Sequence, residues 1–399
     1  MRFSKDHTFE FLTMVALCQH TLFDYFRVFM SKLPVVGIFS SAFFPIVYFL
    51  LIFMAYRKER VKWIRAYDII IILFFFTSTC LSVIIYPVNA QYIMDRLTIS
   101  IIPCLPFFLL ALCLVMDRDI LLRLSNCCCI AIAVTWIYIF FYMATGRELD
   151  GDEMGRSYAL LPNVLIVMST LHFSGKKRYW IFSGLGFLYI LAMGTRGPIV
   201  ILGAYILTII WKKAKIKNSA KVIVTAVIVG LVVLFVQTNI YISLMTSIRT
   251  FLRQNGLSTR IIDYLMKGNM ISDSSGRNEI YDLLLELLRD RPFIGYGVYG
   301  EWQFINYSAH NVYLETVFQY GWPIGVLLIL LYGFTVWKSY RMSKNPVAKE
   351  WILAWSCFVF VRGFFGGELL NWNVFFLLGF CLKEIRVARS MSLGVRVDV

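Results

Sequence analysis

The sequence predicts an all-α, polytopic membrane protein of about twelve transmembrane helices, with one long helical loop outside the membrane. Three observations carry this. Of the 399 residues 59% are hydrophobic, more than an ordinary soluble domain holds. Unbroken apolar runs such as IIPCLPFFLLALCLVM and VIVTAVIVGLVVLFV recur along the chain, at the length a helix needs to cross a bilayer core of about 30 Å. A transmembrane β-barrel reads instead as segments of alternating hydropathy, about ten residues each. The net charge of +15 is spread in short clusters between the runs, which marks topology and excludes a nucleic-acid surface.

The spans fall at about 11–30, 34–56, 67–87, 97–116, 120–143, 158–173, 180–194, 197–211, 221–238, 312–337, 350–366 and 369–382. Alternation from a cytoplasmic N-terminus puts RKERVKWIR, GKKR, KKAKIK, KSYRMSK and KEIRVARS on the inner side, as the positive-inside rule requires. The N-terminus lacks the ordered basic, apolar and small-residue regions of a signal peptide, so no removed leader is expected. The nine cysteines lie in or beside apolar runs, without a disulfide framework or metal-ligand spacing. No metal or cofactor is expected. Residues 1–238 hold spans one to nine, 239–310 form the extracytoplasmic loop, and 311–399 hold spans ten to twelve and a cytoplasmic tail. The halves show no internal repeat, which weighs against a secondary transporter.

A charge at the bilayer centre costs about 2.5 to 3.5 kcal/mol, so the depth of polar residues is informative. Asp24, Arg27, Arg156, Asn163, Arg196, Arg362 and Glu368 all fall toward the outer side. Snorkelling explains each singly; together they predict a polar cavity open outward. Arg196 lies in GTRG between two short spans, where glycines admit an anion and a guanidinium offers it paired donors. An arginine anchoring the helix pair to headgroups is the alternative.

Arg277 opens a helix in SDSSGRNEIYDLLLELLRDRP, with Ser274 or Ser275 as N-cap and Pro292 beyond the end. Ile280, Leu284, Leu287 and Leu288 share one face of it. A cation in the first turn opposes the helix dipole unless an anion is also present, and free amides beside a guanidinium make a phosphate cradle. A solvated arginine beside Asp273 is the plainer reading.

His310 is the only one of four histidines placed outside, and an imidazole titrates close enough to neutrality to take a proton from a hydroxyl. Asn311 adjoins it, and Glu315 lies about one helical turn on, where it can assist or orient the ring. In RPFIGYGVYGEWQFINYS, the side chains of Tyr296, Tyr299 and Trp302 can stack on sugar rings or belong to an interfacial aromatic belt. The DGDE of Asp150 to Glu153 reads as solvated carboxylates rather than a cation site.

The order GTRG, SGRNEI, RPFIGYGVYG and AHNVYLETVFQYGWPIG resembles the superfamily of bacterial O-antigen ligases and O-antigen or capsule polymerases (WaaL and Wzy proteins), over about residues 180–330. The resemblance implies a GT-C-like glycosyltransferase of the bacterial inner membrane, with its active site on the extracytoplasmic face. It implies an undecaprenyl-diphosphate-linked oligosaccharide as donor and no nucleotide sugar. Position by position, Arg196 and Arg277 are implied to hold the lipid diphosphate and His310 to activate the acceptor hydroxyl. Thr195 stands where the family often has serine, and Gly325 comes one position later than the family pattern after Gly321. Arg156, Asn311, Glu315, Tyr296, Tyr299, Trp302 and Arg362 are expected to bind substrate.

The expected function is polymerisation of lipid-linked repeat units, favoured because in the family each surface-glycan gene cluster tends to carry its own divergent polymerase. The alternative is the ligase that sends the glycan to lipid A core or another acceptor. A flippase is a weaker alternative because the polar residues cluster on one side. Membrane lipids are expected partners, nucleic acid is not, and a chain-length regulator is allowed for although no motif marks one.

Overall fold

A computed structural model describes residues 65–144, 153–193, 196–213, 239–254 and 277–392, together with Met14, Leu50, Thr259 and Asp263. Every regular element among them is helical. Numbered over these residues they are α1 (Ala66–Ile85), α2 (Asn89–Arg96), α3 (Ile102–Cys113), α4 (Arg118–Ala144), α5 (Glu153–Thr170), α6 (Lys177–Ala192), α7 (Arg196–Lys213), α8 (Asn239–Gln254), α9 (Arg277–Asp290), α10 (Trp302–Ile305), α11 (Val312–Met342), α12 (Pro346–Ser356) and α13 (Trp372–Ser392). Wider π turns at Leu97–Ile101 and Cys357–Val361 join α2 to α3 and extend α12. Apart from Met14 and Leu50, the expected spans at about 11–30, 34–56 and 221–238, and Asp150 to Asp152 of the acidic loop, lie outside the described residues. Each remaining expected span coincides with a helix, and α1, Arg118–Phe140 of α4, and α11 have both the length and the apolar character of a bilayer crossing.

The core forms where helices are apolar on more than one face. The middle of α5, from Leu160 to Val167, is buried throughout, because it lies among α4, α6, α7 and α12; a helix apolar all round is an interior helix. Among the described residues the pairing of α3 with α13 is the most extensive. Gly379 permits it, since a Cβ there would sit 2.5 Å from the Phe108 carbonyl oxygen.

Among the described residues, members of the basic clusters meet buried acids at one end of this bundle. Glu350, 3% exposed, accepts hydrogen bonds from Tyr205 Oη at 2.8 Å and Lys212 Nζ at 3.0 Å, and His172 Nε2 lies 3.5 Å from it. Nearby, Glu384 pairs with Lys383 at 2.9 Å and accepts from Ser343 Oγ at 2.8 Å, while Arg386 pairs with Asp68. Each buried acid thus meets residues of, or adjoining, a basic cluster, which recovers part of the desolvation cost of burying charge.

The opposite end is organised by a break in α11. At 31 residues this helix is about 15 Å longer than a bilayer core requires. Gly321 interrupts it with φ 77 and ψ 166, and Pro323 has no N–H to give the Gln319 carbonyl. The break frees the Phe318 and Gln319 carbonyls, which accept instead from Tyr296 N–H and Gly297 N–H at 2.9 Å each, while Trp322 N–H turns to the Pro292 carbonyl at 2.7 Å. The first half, 312–320, folds back so far that a Cβ on Gly325 would meet Val317 Cα at 2.6 Å. The expected span at 312–337 is therefore better placed at 322–342, about 30 Å of helix. Its outer face carries exposed Leu327, Leu330, Leu331 and Phe334.

Candidate functional site

The loop 291–311 is seated on this folded-back half helix by α1, α2 and α9. Tyr86 Oη donates to the Gly295 carbonyl at 3.0 Å, Asn89 Nδ2 to the Tyr296 carbonyl at 3.0 Å, and Val298 N–H to Ser82 Oγ at 2.8 Å. From the other side, Leu284 and Leu288 of α9 are buried against Tyr296, Ile305, Val317 and Phe318, with Ile280 and Leu287 beside them. This is the helix face expected from the sequence.

Asn311 caps α11: its Oδ1 accepts from Tyr313 N–H and Leu314 N–H at 3.1 Å each, satisfying amides the helix leaves open. The cap fixes His310, which precedes it with a left-handed φ of 54. Its half-buried ring tilts against Tyr307, with centroids 5.9 Å apart. Burial, and secondly the charge of Arg277, lower the pKa of His310 from its ordinary value. The imidazole is therefore neutral at neutral pH, as a proton acceptor must be. Arg277 is the first residue of α9 and half-buried.

Tyr158 of α5 connects the remaining arginines. Its ring lies under the Arg362 guanidinium at 4.8 Å, and its hydroxyl is within electrostatic reach of both Arg362 and Arg277. The start of α7 packs directly on the same ring: a Cβ on Gly197 would overlap the Tyr158 hydroxyl and lie 2.9 Å from Cζ and 3.3 Å from Phe365 Cβ. The backbone of Arg196 is thereby placed at Tyr158. Arg362 carries an unfilled capacity as well, because its Nε is buried without a hydrogen-bond partner. His310, Arg277, Arg362, Tyr158 and the N-terminus of α7 form one cluster, an arrangement suited to holding an anion beside a neutral base.

Other expected residues have different surroundings. Arg156 lies two positions from Tyr158, across the helix from it, and its guanidinium faces the Tyr138 ring of α4 at 5.7 Å. Tyr296 is stacked on Phe318 at 4.7 Å and donates to the Leu287 carbonyl at 2.9 Å. Tyr299 is 1% exposed and donates to Glu368 Oε2 at 3.1 Å. Both rings thus build the core of the loop. Trp302 is half-buried with the Arg96 guanidinium 4.4 Å over its ring. Glu315 is buried in the first turns of α11, where its Oε1 accepts from Leu369 N–H at 2.9 Å.

The sequence reading missed Tyr158, Arg96, Ser100, Glu301 and Gln319. Glu368 accepts from Ser100 Oγ at 2.8 Å and pairs with Arg96 at 3.3 Å. Glu301 is fully buried and meets Gln319 Nε2 at 3.1 and 3.2 Å; burial pushes its carboxyl up to about 8, so it holds its proton at neutral pH. Only the rarity of an acid in a buried loop could have signalled it, and burial was not visible in the sequence.

Residues 181–330 match the family described as O-Antigen ligase. This segment is similar to the O-antigen ligase family. Among curated proteins no match is found. The matched segment contains Arg196, Arg277, His310 and the break at Gly321, whereas Tyr158 and Arg362 lie outside it. Tyr158, on which the start of α7 packs and which lies within electrostatic reach of Arg277, is not supplied by that segment.

That dependence gives a test. Gly197→Ala is expected to lower glycan transfer by at least about tenfold, because a Cβ must displace Tyr158 or α7. Tyr158→Phe in the same chain removes the overlapping oxygen and is expected to restore part of the loss. Transfer rates of the two single variants and the double variant measure this; strictly additive losses would refute the contact as the cause.

Proposed function

We propose that this protein polymerises lipid-linked glycan repeat units of the O-antigen or capsule type at the extracytoplasmic face of a bacterial inner membrane. The observation that carries the reading is a neutral, half-buried His310 beside Arg277 at the bundle end opposite the basic clusters, which the positive-inside rule assigns to the cytoplasm. His310 takes the proton of an acceptor hydroxyl as that oxygen bonds to the donor's anomeric carbon. The bond from that carbon to the diphosphate oxygen breaks, and its electron pair leaves with undecaprenyl diphosphate. Arg277, Arg362 and Arg196 bind the departing charge, which needs fixed donors most as it develops. The O-antigen ligase match supports lipid-linked glycan transfer, and a GT-C-like architecture and a chain-length regulator as partner belong to the proposal.

A ligase that delivers the finished glycan to another acceptor is the second reading, favoured by the description of the matched family. The length profile of lipid-linked and surface glycan in the native host carrying His310→Ala separates them. Single repeats accumulating on the lipid are expected. Long chains stranded on the lipid would establish a ligase, and an unchanged profile would remove His310 from the chemistry and bring a flippase forward.

A further inference from the structure

Between α12 and α13 the chain turns through residues 362–371, beyond the matched domain. Gly366 and Gly367 have φ of 154 and 109. A Cβ on Gly366 would lie 4.0 Å from His310 Nδ1, and one on Gly367 3.6 Å from Arg362 Nε and from Val312 Cγ2. The turn therefore runs beside both the base and a site arginine.

Two bonds tie it to the start of α11. Val312 N–H donates to the Gly363 carbonyl at 2.8 Å, and beyond the glycines Leu369 N–H donates to Glu315 Oε1 at 2.9 Å. Glu315 is 1% exposed, and its Oε2 has no hydrogen-bond partner. A carboxyl buried this way costs stability, and an apolar residue would fill the space more cheaply. What the carboxyl adds is an acceptor for a buried amide, one turn after the cap that fixes His310. Glu368 is held from the opposite side by Arg96, Ser100 and Tyr299, so the turn is braced on both flanks.

We propose that Glu315 is a positioning residue that fixes the Gly366–Gly367 turn against His310 and Arg362 by accepting the Leu369 N–H. The proposal rests on the glycan-transfer reading for its effect on rate, though not for its structural half. The role requires an acceptor rather than a charge, so glutamine can fill it.

The test combines amide hydrogen exchange over 363–371 in the full-length protein in proteoliposomes with transfer kinetics on a polyprenyl-diphosphate-linked oligosaccharide. Glu315→Val is expected to speed exchange by about tenfold and to lower kcat by at least about 30-fold with little change in KM, since the reacting groups lose alignment. Glu315→Gln is expected to keep exchange near wild type and kcat within about threefold. Gly367→Ala, strained at its positive φ, is expected to behave like Glu315→Val. Wild-type exchange in Glu315→Val would overturn the brace. Loss of kcat in Glu315→Gln with normal exchange would overturn it too, by assigning the carboxylate a chemical role. If the wild-type protein transfers no glycan in this assay, the transferase reading fails, and the exchange data alone still decide whether the brace exists.

Discussion

Glycan transfer by the wild-type protein is expected to stay near its maximum below pH 6.5, histidine's ordinary value, before it declines with acid. The base works only when deprotonated. Burial and then the charge of Arg277 lower the His310 pKa, so the imidazole remains neutral at pH values where an ordinary histidine is already protonated. The acid limb therefore shifts to lower pH. Arg277→Gln removes the smaller of the two causes: its limb is expected to move up, though not as far as 6.5, because burial remains. His310→Ala is expected to lose the limb and to lower the plateau by about 10²- to 10⁴-fold, the usual worth of a general base. Rates in proteoliposomes between about pH 5 and 8 measure all three. A wild-type limb at or above 6.5, or the same limb in His310→Ala, would show that another group takes the proton.

The parts of this site legible from sequence are those encoded within one element. The apolar face of α9 follows from a helical period in NEIYDLLLELLRD, and it is the face that packs. Arg277 lies in the first turn of α9, as read from the sequence, while the expected caps Ser274 and Ser275 lie outside the described residues. Alternation of basic clusters predicted which helix ends lie together, and the buried pairs of Glu350, Glu384 and Asp68 join those ends.

What was not legible is pairing across the chain. Tyr158 carries no local mark, and it matters because Gly197 and Arg362, distant in sequence, both rest on it. The aromatic residues of the loop gave a period-free pattern consistent with either sugar stacking or packing. Tyr296 and Tyr299 are buried because α11 folds back beneath them. That fold in turn was hidden by hydropathy, which reads straight through QYGWPIG as a single apolar run.

Gly321→Ala should cost at least as much activity as loss of the base. At φ 77 and ψ 166 the residue occupies backbone space that is essentially closed to side chains, at about 1 to 3 kcal/mol. A Cβ there would also overlap the Phe293 backbone and lie 2.8 Å from Ile294 N, so the chain cannot accept alanine by small adjustment. If α11 straightens, Val317 moves away from Gly325, and Tyr296 and Gly297 lose the carbonyls their amides now use. The loop then comes off the half helix whose cap holds His310, and base and arginines separate. Tryptic cleavage after Arg289 should accelerate together with the loss of transfer. Gly333→Ala is the control: it lies on the same helix with open space where its Cβ would go, and both readouts should stay at wild type. Equal behaviour of the two variants would mean that the break at Gly321 does not position the site. Loss confined to Gly321→Ala would identify the unwound turn, rather than the apolar helix around it, as what brings His310 to the arginines.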